Sequence, residues 1–98
     1  MNEQPAGKIK AARLRISGRV QGVGFRYWAS HLAERYGVTG WVRNELDGTV
    51  SIECEGPEAS VDKFIQIVRQ GPPGARVDQV EISHLTPRGA YQRFSIEF

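Results

Sequence analysis

Ile16-Ser17-Gly18-Arg19-Val20-Gln21-Gly22-Val23-Gly24-Phe25-Arg26 runs from a strand into a glycine-rich turn, then into a helix with an arginine in its first turn. Glycines at 18, 22 and 24 let the backbone turn sharply and leave amide N–H groups bare. The helix adds its own unpaired N–H groups and the positive end of its dipole. A guanidinium fork at Arg26 completes a cradle for one tetrahedral oxyanion, and phosphate suits it best. Two familiar phosphate patterns do not fit. The nucleotide-triphosphate loop ends in Gly-Lys-Ser/Thr, where this chain has Phe25-Arg26-Tyr27, and the dinucleotide fingerprint needs a third glycine at position 27. Glycine spacing alone also suits a plain turn with a surface arginine, so the rest of the chain has to decide.

Upstream of this stretch, Ala12, Leu14 and Ile16 share one parity and Arg13, Arg15 and Ser17 the other, which predicts a half-buried strand from about Ile9. Residues 1–8 are polar, with Pro5 and Gly7, and read as a loose tail before a single domain at 9–98. Downstream, Phe25, Trp28, Ala29, Leu32 and Tyr36 recur at helical spacing, and Gly37 supplies a left-handed stop. Residues 38–44 form a second strand, Glu45-Leu46-Asp47-Gly48 a turn, and residues 49–55 a third strand with Val50, Ile52 and Cys54 on one face. Gly56-Pro57 opens a second helix whose stripe is Val61, Phe64, Ile65 and Val68; Gly71-Pro72-Pro73-Gly74 ends it. A fourth strand spans residues 76–85, and a short last one, residues 93–98, alternates Phe94, Ile96 and Phe98.

The order β-α-β-β-α-β plus a terminal strand predicts an α+β, ferredoxin-like sandwich, with two helices on one face of an antiparallel sheet. In that topology the glycine loop and Asn44 leave the C-terminal ends of two strands that point the same way, so they meet at one edge of the sheet. An amide there can donate and accept hydrogen bonds and hold a water near a bound oxyanion. Asparagine is also common at turns, and that reading of Asn44 stays open on spacing alone.

Size and composition narrow the field. Ninety-eight residues make one domain. No apolar run is long enough to span a bilayer, the N-terminus lacks a signal-peptide core, and the single Cys54 forms no internal disulfide, so a cytoplasmic address is the default. A net charge of +2 suits a small anion and falls short of a nucleic-acid footprint. Lys10, Arg13 and Arg15 read as a solvated strand face, as do Glu53 and Glu55. Cys54 reads as core, His31 and His84 as isolated, Trp28 and Tyr36 as packing, and Trp41 as core or site wall. No metal or cofactor is expected.

The segment Gly18 to Arg26, together with Gly40-Trp41-Val42-Arg43-Asn44 followed by Gly48, Val50 and Gly56, resembles the two signatures of the acylphosphatase family. The resemblance covers both motifs in order and nearly the whole domain. It implies a hydrolase that splits acyl phosphates into a carboxylate and inorganic phosphate, with these small molecules and neither nucleic acid nor membrane as its partners; the sequence shows no oligomeric state, and a monomer is the default. It assigns phosphate binding to Arg26 and water orientation to Asn44. Its phosphate loop falls on Arg19, Val20, Gln21, Gly22, Val23, Gly24 and Phe25, acting through backbone N–H groups while the Gln21 side chain shapes the loop. It also implies that a substrate phosphate oxygen accepts the water's proton, since no protein base stands out.

Three other readings compete: a carbamoyl-phosphate-processing domain of a larger protein, a nonenzymatic RNA-binding module, and a small-molecule regulatory domain on the same fold. The RNA reading needs aromatics on a central strand, whereas Phe25 and Tyr27 sit at a loop and helix start. One further expectation concerns the chain end: a last strand antiparallel to the fourth brings the Phe98 carboxylate toward Arg26.

Overall fold

The computed structural model describes residues 8–98, so nearly all of the expected tail lies outside the described residues. Alternating residues form β1 (Ile9–Arg19), and the glycine loop leads into α1 (Phe25–Tyr36). The hairpin β2 (Thr39–Asn44) and β3 (Val50–Pro57) is followed by α2 (Glu58–Val68), β4 (Arg76–Leu85) and β5 (Phe94–Glu97). Pro57 closes β3 and caps α2 rather than entering its first turn; its ψ of 138° is extended, so helical geometry begins only at Glu58.

The sheet order is β4-β1-β3-β2-β5. β1 pairs antiparallel with both β3 and β4, and β2 pairs antiparallel with β3. The sheet is nevertheless mixed, because β5 joins β2 in parallel. β4 ends opposite Ala11, at the end of the sheet where β1 and β2 begin. The following connection therefore delivers Phe94 beside Gly40, and the two strands run the same way. β5 does point opposite to β4, as expected, but from the other edge of the sheet.

Both helices cover one face. Phe25, Ala29, Leu32 and Ala33 of α1 and Val61, Phe64, Ile65 and Val68 of α2 are buried against Ala12, Leu14, Ile16, Val42, Val50, Ile52 and Cys54. Each large aliphatic or aromatic side chain so enclosed contributes about 1.5–3 kcal/mol by leaving water. β5 is drawn into the same core: the Phe94 ring meets Phe64 edge-on at 5.8 Å, and Ile96 packs on the cluster. Trp28 and Tyr36 pack at the core margin, while His31 and His84 are exposed.

The expected solvated face holds for Arg13 and Arg15, which are exposed, but not for Lys10, and the one expected at Glu53 and Glu55 is corrected. Lys10 shares the parity of Ala12, so it lies on the helix side and its ammonium reaches Asp62 of α2 at 2.6 Å. Glu53 and Glu55 are covered by the connection between β4 and β5. Glu55, 8% exposed, accepts the N–H groups of Arg88 and Gly89 at 3.2 and 2.7 Å, and Glu53 accepts the Tyr91 hydroxyl. Trp41 stands on the open face of the sheet between the Arg13 and Arg43 guanidinium groups, and its indole N–H donates to Tyr91 at 3.2 Å. It is not part of the core.

Candidate active site

At the upper end of β1 the pairing with β4 shifts between Ser17 and Gly18, leaving one extra residue on β4. Gly18 has φ of 128°, and a Cβ there would lie 2.1 Å from the Arg76 carbonyl oxygen, so only glycine lets the strands come this close. The bulge turns the chain out of the sheet and into the loop. Val20, 1% exposed, plugs the loop into the core, and Gly24 takes φ of 78° to start α1.

α1 has no side-chain cap and no acidic residue in its first turn. Its N-terminal N–H groups therefore meet no competing carboxylate from their own helix, and the Trp28 N–H is the one that reaches the Gly24 carbonyl, at 3.0 Å. Among the seven loop residues read from the sequence, Arg19 is the last residue of β1, paired with Arg76. Phe25 is the first residue of α1, with its ring in the core. Gln21, Gly22, Val23 and Gly24 form the bend between them, and Val23 packs against the core margin. Only backbone groups of Val20 and Phe25 can face a ligand, because their side chains are enclosed.

Asn44 ends β2 and shares the parity of Val42, so it lies on the helix side of the sheet. Its Oδ1 is buried and accepts no hydrogen bond within the protein. The β2–β5 register pairs Arg43 with Glu97, so the next residue along each strand is Asn44 and Phe98. Phe98 in turn places its ring 4.8 Å from the Arg26 guanidinium carbon. Arg26, Asn44 and the glycine loop thus gather at one end of the sandwich. Arg26 meets the Phe98 ring rather than the expected carboxylate: among the described residues Arg26 takes part in no ion pair.

Gln21 ties this loop to the β2–β3 turn. Its amide Nε2 donates to the Glu45 carbonyl at 2.8 Å and to the Thr49 carbonyl at 2.9 Å. The turn is also held from within: the Gly48 N–H donates to the Glu45 carbonyl, and the Glu45 N–H donates to the Thr49 carbonyl. Asp47 accepts both the N–H and the hydroxyl of Thr49, at 3.0 and 2.7 Å. These donors hold the Asp47 carboxyl below the usual carboxylate range, the Thr49 hydroxyl contributing most.

A groove of about 560 Å³ lies on the opposite, open face of the sheet, lined among others by Arg13, Arg15, Arg43 and Glu81. Arg15 is paired with Asp47 and Arg43 with Glu45 and Glu97, which leaves these cations matched rather than free for an anion. Among the described residues, no three His, Cys, Asp or Glu side chains are grouped to hold a metal ion, and no helix is long and apolar enough to cross a membrane.

Fold and site together define a ferredoxin-like α+β domain with a glycine loop at an uncapped helix N-terminus, beside a strand-end amide. The acylphosphatase family model matches residues 12–96. An acylphosphatase of Salinibacter ruber is 44% identical over 90 residues, covering 92% of this chain and 95% of that one. The solved acylphosphatase of Bacillus subtilis superposes with a TM-score of 0.87 at 37% identity, covering 91% and 99% of the two chains. Full-length HypF, in a phosphate- and nucleotide-bound form, contains a similar unit: TM-score 0.87, 31% identity, 98% of this chain but 13% of that one. The chain belongs to the acylphosphatase family.

Proposed function

We propose that Arg26, Asn44 and the backbone of residues 19–25 carry out the reaction of this acylphosphatase, hydrolysis of an acyl phosphate to a carboxylate and inorganic phosphate. The observation that carries this reading is the meeting, at one end of the sandwich, of an uncapped helix start, the Arg26 guanidinium and the buried, unpaired Asn44 Oδ1.

An acyl phosphate is a mixed anhydride and already carries a good leaving group, so positioning and charge stabilisation suffice. The loop N–H groups and the Arg26 fork hold the phosphoryl oxygens and balance their charge as the P–O bond to the acyl group breaks. Asn44 Oδ1 accepts a hydrogen bond from the attacking water and aligns its oxygen in line with that bond. A buried carbonyl without a partner costs about 1–3 kcal/mol, and accepting from water offsets that cost. The water oxygen bonds to phosphorus, its proton passes to a phosphate oxygen, and the carboxylate leaves with the bonding pair. No protein base is required. We take the protein to act without metal, as a monomer in the cytoplasm; the lone Cys54, which has no second cysteine in the chain to pair with, suits a reducing compartment.

The test is hydrolysis of benzoyl phosphate in excess EDTA by the wild type, Arg26→Ala and Asn44→Ala. Rapid wild-type turnover is expected, lost in Arg26→Ala together with phosphate binding and lost in kcat for Asn44→Ala with phosphate inhibition retained. A folded wild type that leaves benzoyl phosphate intact overturns the reading in favour of a binding domain.

A further inference from the structure

The site is assembled from two pieces that are each rigid on their own account. The cradle is anchored by Val20 and Phe25, which are 1% and 2% exposed. The turn after Asn44 is closed by its own backbone bonds and by the Asp47–Thr49 contacts. Beyond the pairing of β1 with β3, the side-chain hydrogen bonds that join loop and turn among the described residues come from a single primary amide. The two hydrogens of Gln21 Nε2 grip the carbonyls of Glu45 and Thr49 at either base of the turn, 24 and 28 residues away in sequence. Each of those carbonyls already accepts one backbone N–H, so the amide completes its second acceptor position. Glu45 is the residue next to Asn44, so a shift of its peptide carries the Asn44 backbone with it.

We propose that Gln21 is a positioning residue that sets the register between the phosphate cradle and the water-orienting Asn44, and that it acts through the turn rather than by touching substrate. The proposal rests on the roles given above to Arg26 and Asn44. Its consequence is specific. Without the amide, cradle and turn each stay intact and phosphate still binds, but Asn44 no longer holds the water in line with the scissile bond. The loss belongs to kcat.

The variant that isolates this is Gln21→Met, which keeps length and neutrality and removes both donors; Gln21→Ala is the second variant, should methionine disturb packing. Benzoyl phosphate kinetics and competitive inhibition by inorganic phosphate are measured for both, in the wild-type and Asn44→Ala backgrounds, with thermal unfolding recorded for each. Wild-type turnover and its loss in Arg26→Ala test the underlying reading in the same assay, so failure there is distinguishable from failure here. We expect kcat to fall about tenfold or more, a loss of aligned attack geometry, while the phosphate inhibition constant stays within about twofold. We also expect almost no further loss in the Asn44→Ala background, because residues acting as one unit are not additive. An equal fold-loss in both backgrounds, an unchanged kcat, or weakened phosphate inhibition would overturn the proposal. Failure of both variants to fold would equally overturn it, making Gln21 a folding residue.

Discussion

The guanidinium carbon of Arg26 lies 4.8 Å from the centroid of the Phe98 ring, a cation–π contact between the first turn of one helix and the residue that follows the last strand. Phe98 is 88% exposed, so it holds the arginine without burying itself. Such a contact at an exposed position contributes about 0.5–1 kcal/mol.

Removing the ring therefore loosens the arginine without deleting it. Phe98→Ala is expected to weaken inhibition by inorganic phosphate about two- to fivefold, the affinity equivalent of an exposed cation–π contact. Phe98→Leu keeps apolar bulk but no π face and should behave like the alanine. Full phosphate affinity in the leucine variant would show that bulk, not the aromatic face, matters.

Arg26→Lys retains the charge but replaces a planar fork with a point donor. The proposed role gives Arg26 a bidentate hold on two phosphoryl oxygens that lysine lacks, so kcat/KM for benzoyl phosphate is expected to drop by about 10²–10³, the scale of losing an aligned transition-state donor. Steady-state kinetics check this, and activity within a few-fold of wild type would contradict a bidentate role.

Cys54 is enclosed between β1 and the helices, with its Sγ 3.6 Å from the Ala12 carbonyl oxygen, and burial pushes its thiol pKa up to about 12. At pH 8 it is therefore protonated and shielded. Ellman's reagent should leave the native protein unmodified and titrate one thiol per chain in denaturant. Fast labelling of the native protein would show that the core opens.

Asp47 gives a pH signature. Thr49 donates to its carboxylate and lowers its folded pKa, so this stabilisation is complete above the unfolded-state value of about 3.9 and is lost as pH falls through the lower folded value. The Tm of the wild type should exceed that of Asp47→Asn at neutral pH, and the gap should close in acid as pH falls through the lowered folded value and the wild-type carboxyl protonates. A gap independent of pH would mean that the carboxylate charge contributes nothing.

Gly18→Ala tests the bulge. A Cβ would meet the Arg76 carbonyl oxygen at 2.1 Å and the Asp78 nitrogen at 2.8 Å, both backbone atoms that cannot move aside. Equilibrium denaturation should show a loss of about 2 kcal/mol or more. A neutral result would mean that β4 can retreat from β1.

Most of this molecule is legible in its sequence, because most of it is periodic. Alternation from Ala12 to Ile16, the helical recurrence from Phe25 to Tyr36 and the stripe Val61, Phe64, Ile65, Val68 each report which side of an element meets the core, and the structure buries those sides. Gly24 and Gly37 mark the two ends of α1 with left-handed backbone, as glycine at such places does. The acylphosphatase signatures likewise lie in short contiguous stretches, so a linear reading reaches them.

What the linear reading missed lies between residues far apart in the chain. Glu53 and Glu55 looked like a wetted strand face because alternation describes a strand, not the loop laid over it; Arg88, Gly89 and Tyr91 are 33 to 38 residues away. The parallel course of β5 followed from where β4 ends, which pairing alone decides. The Phe98 ring on Arg26 and the Gln21 amide on the β2–β3 turn depend on side-chain directions set by packing. Local sterics and periodicity act over a few residues, so the elements and their buried faces can be read along the chain. How the glycine loop, the strand-end amide and the last strand meet cannot, since those contacts form between segments that come together only on folding.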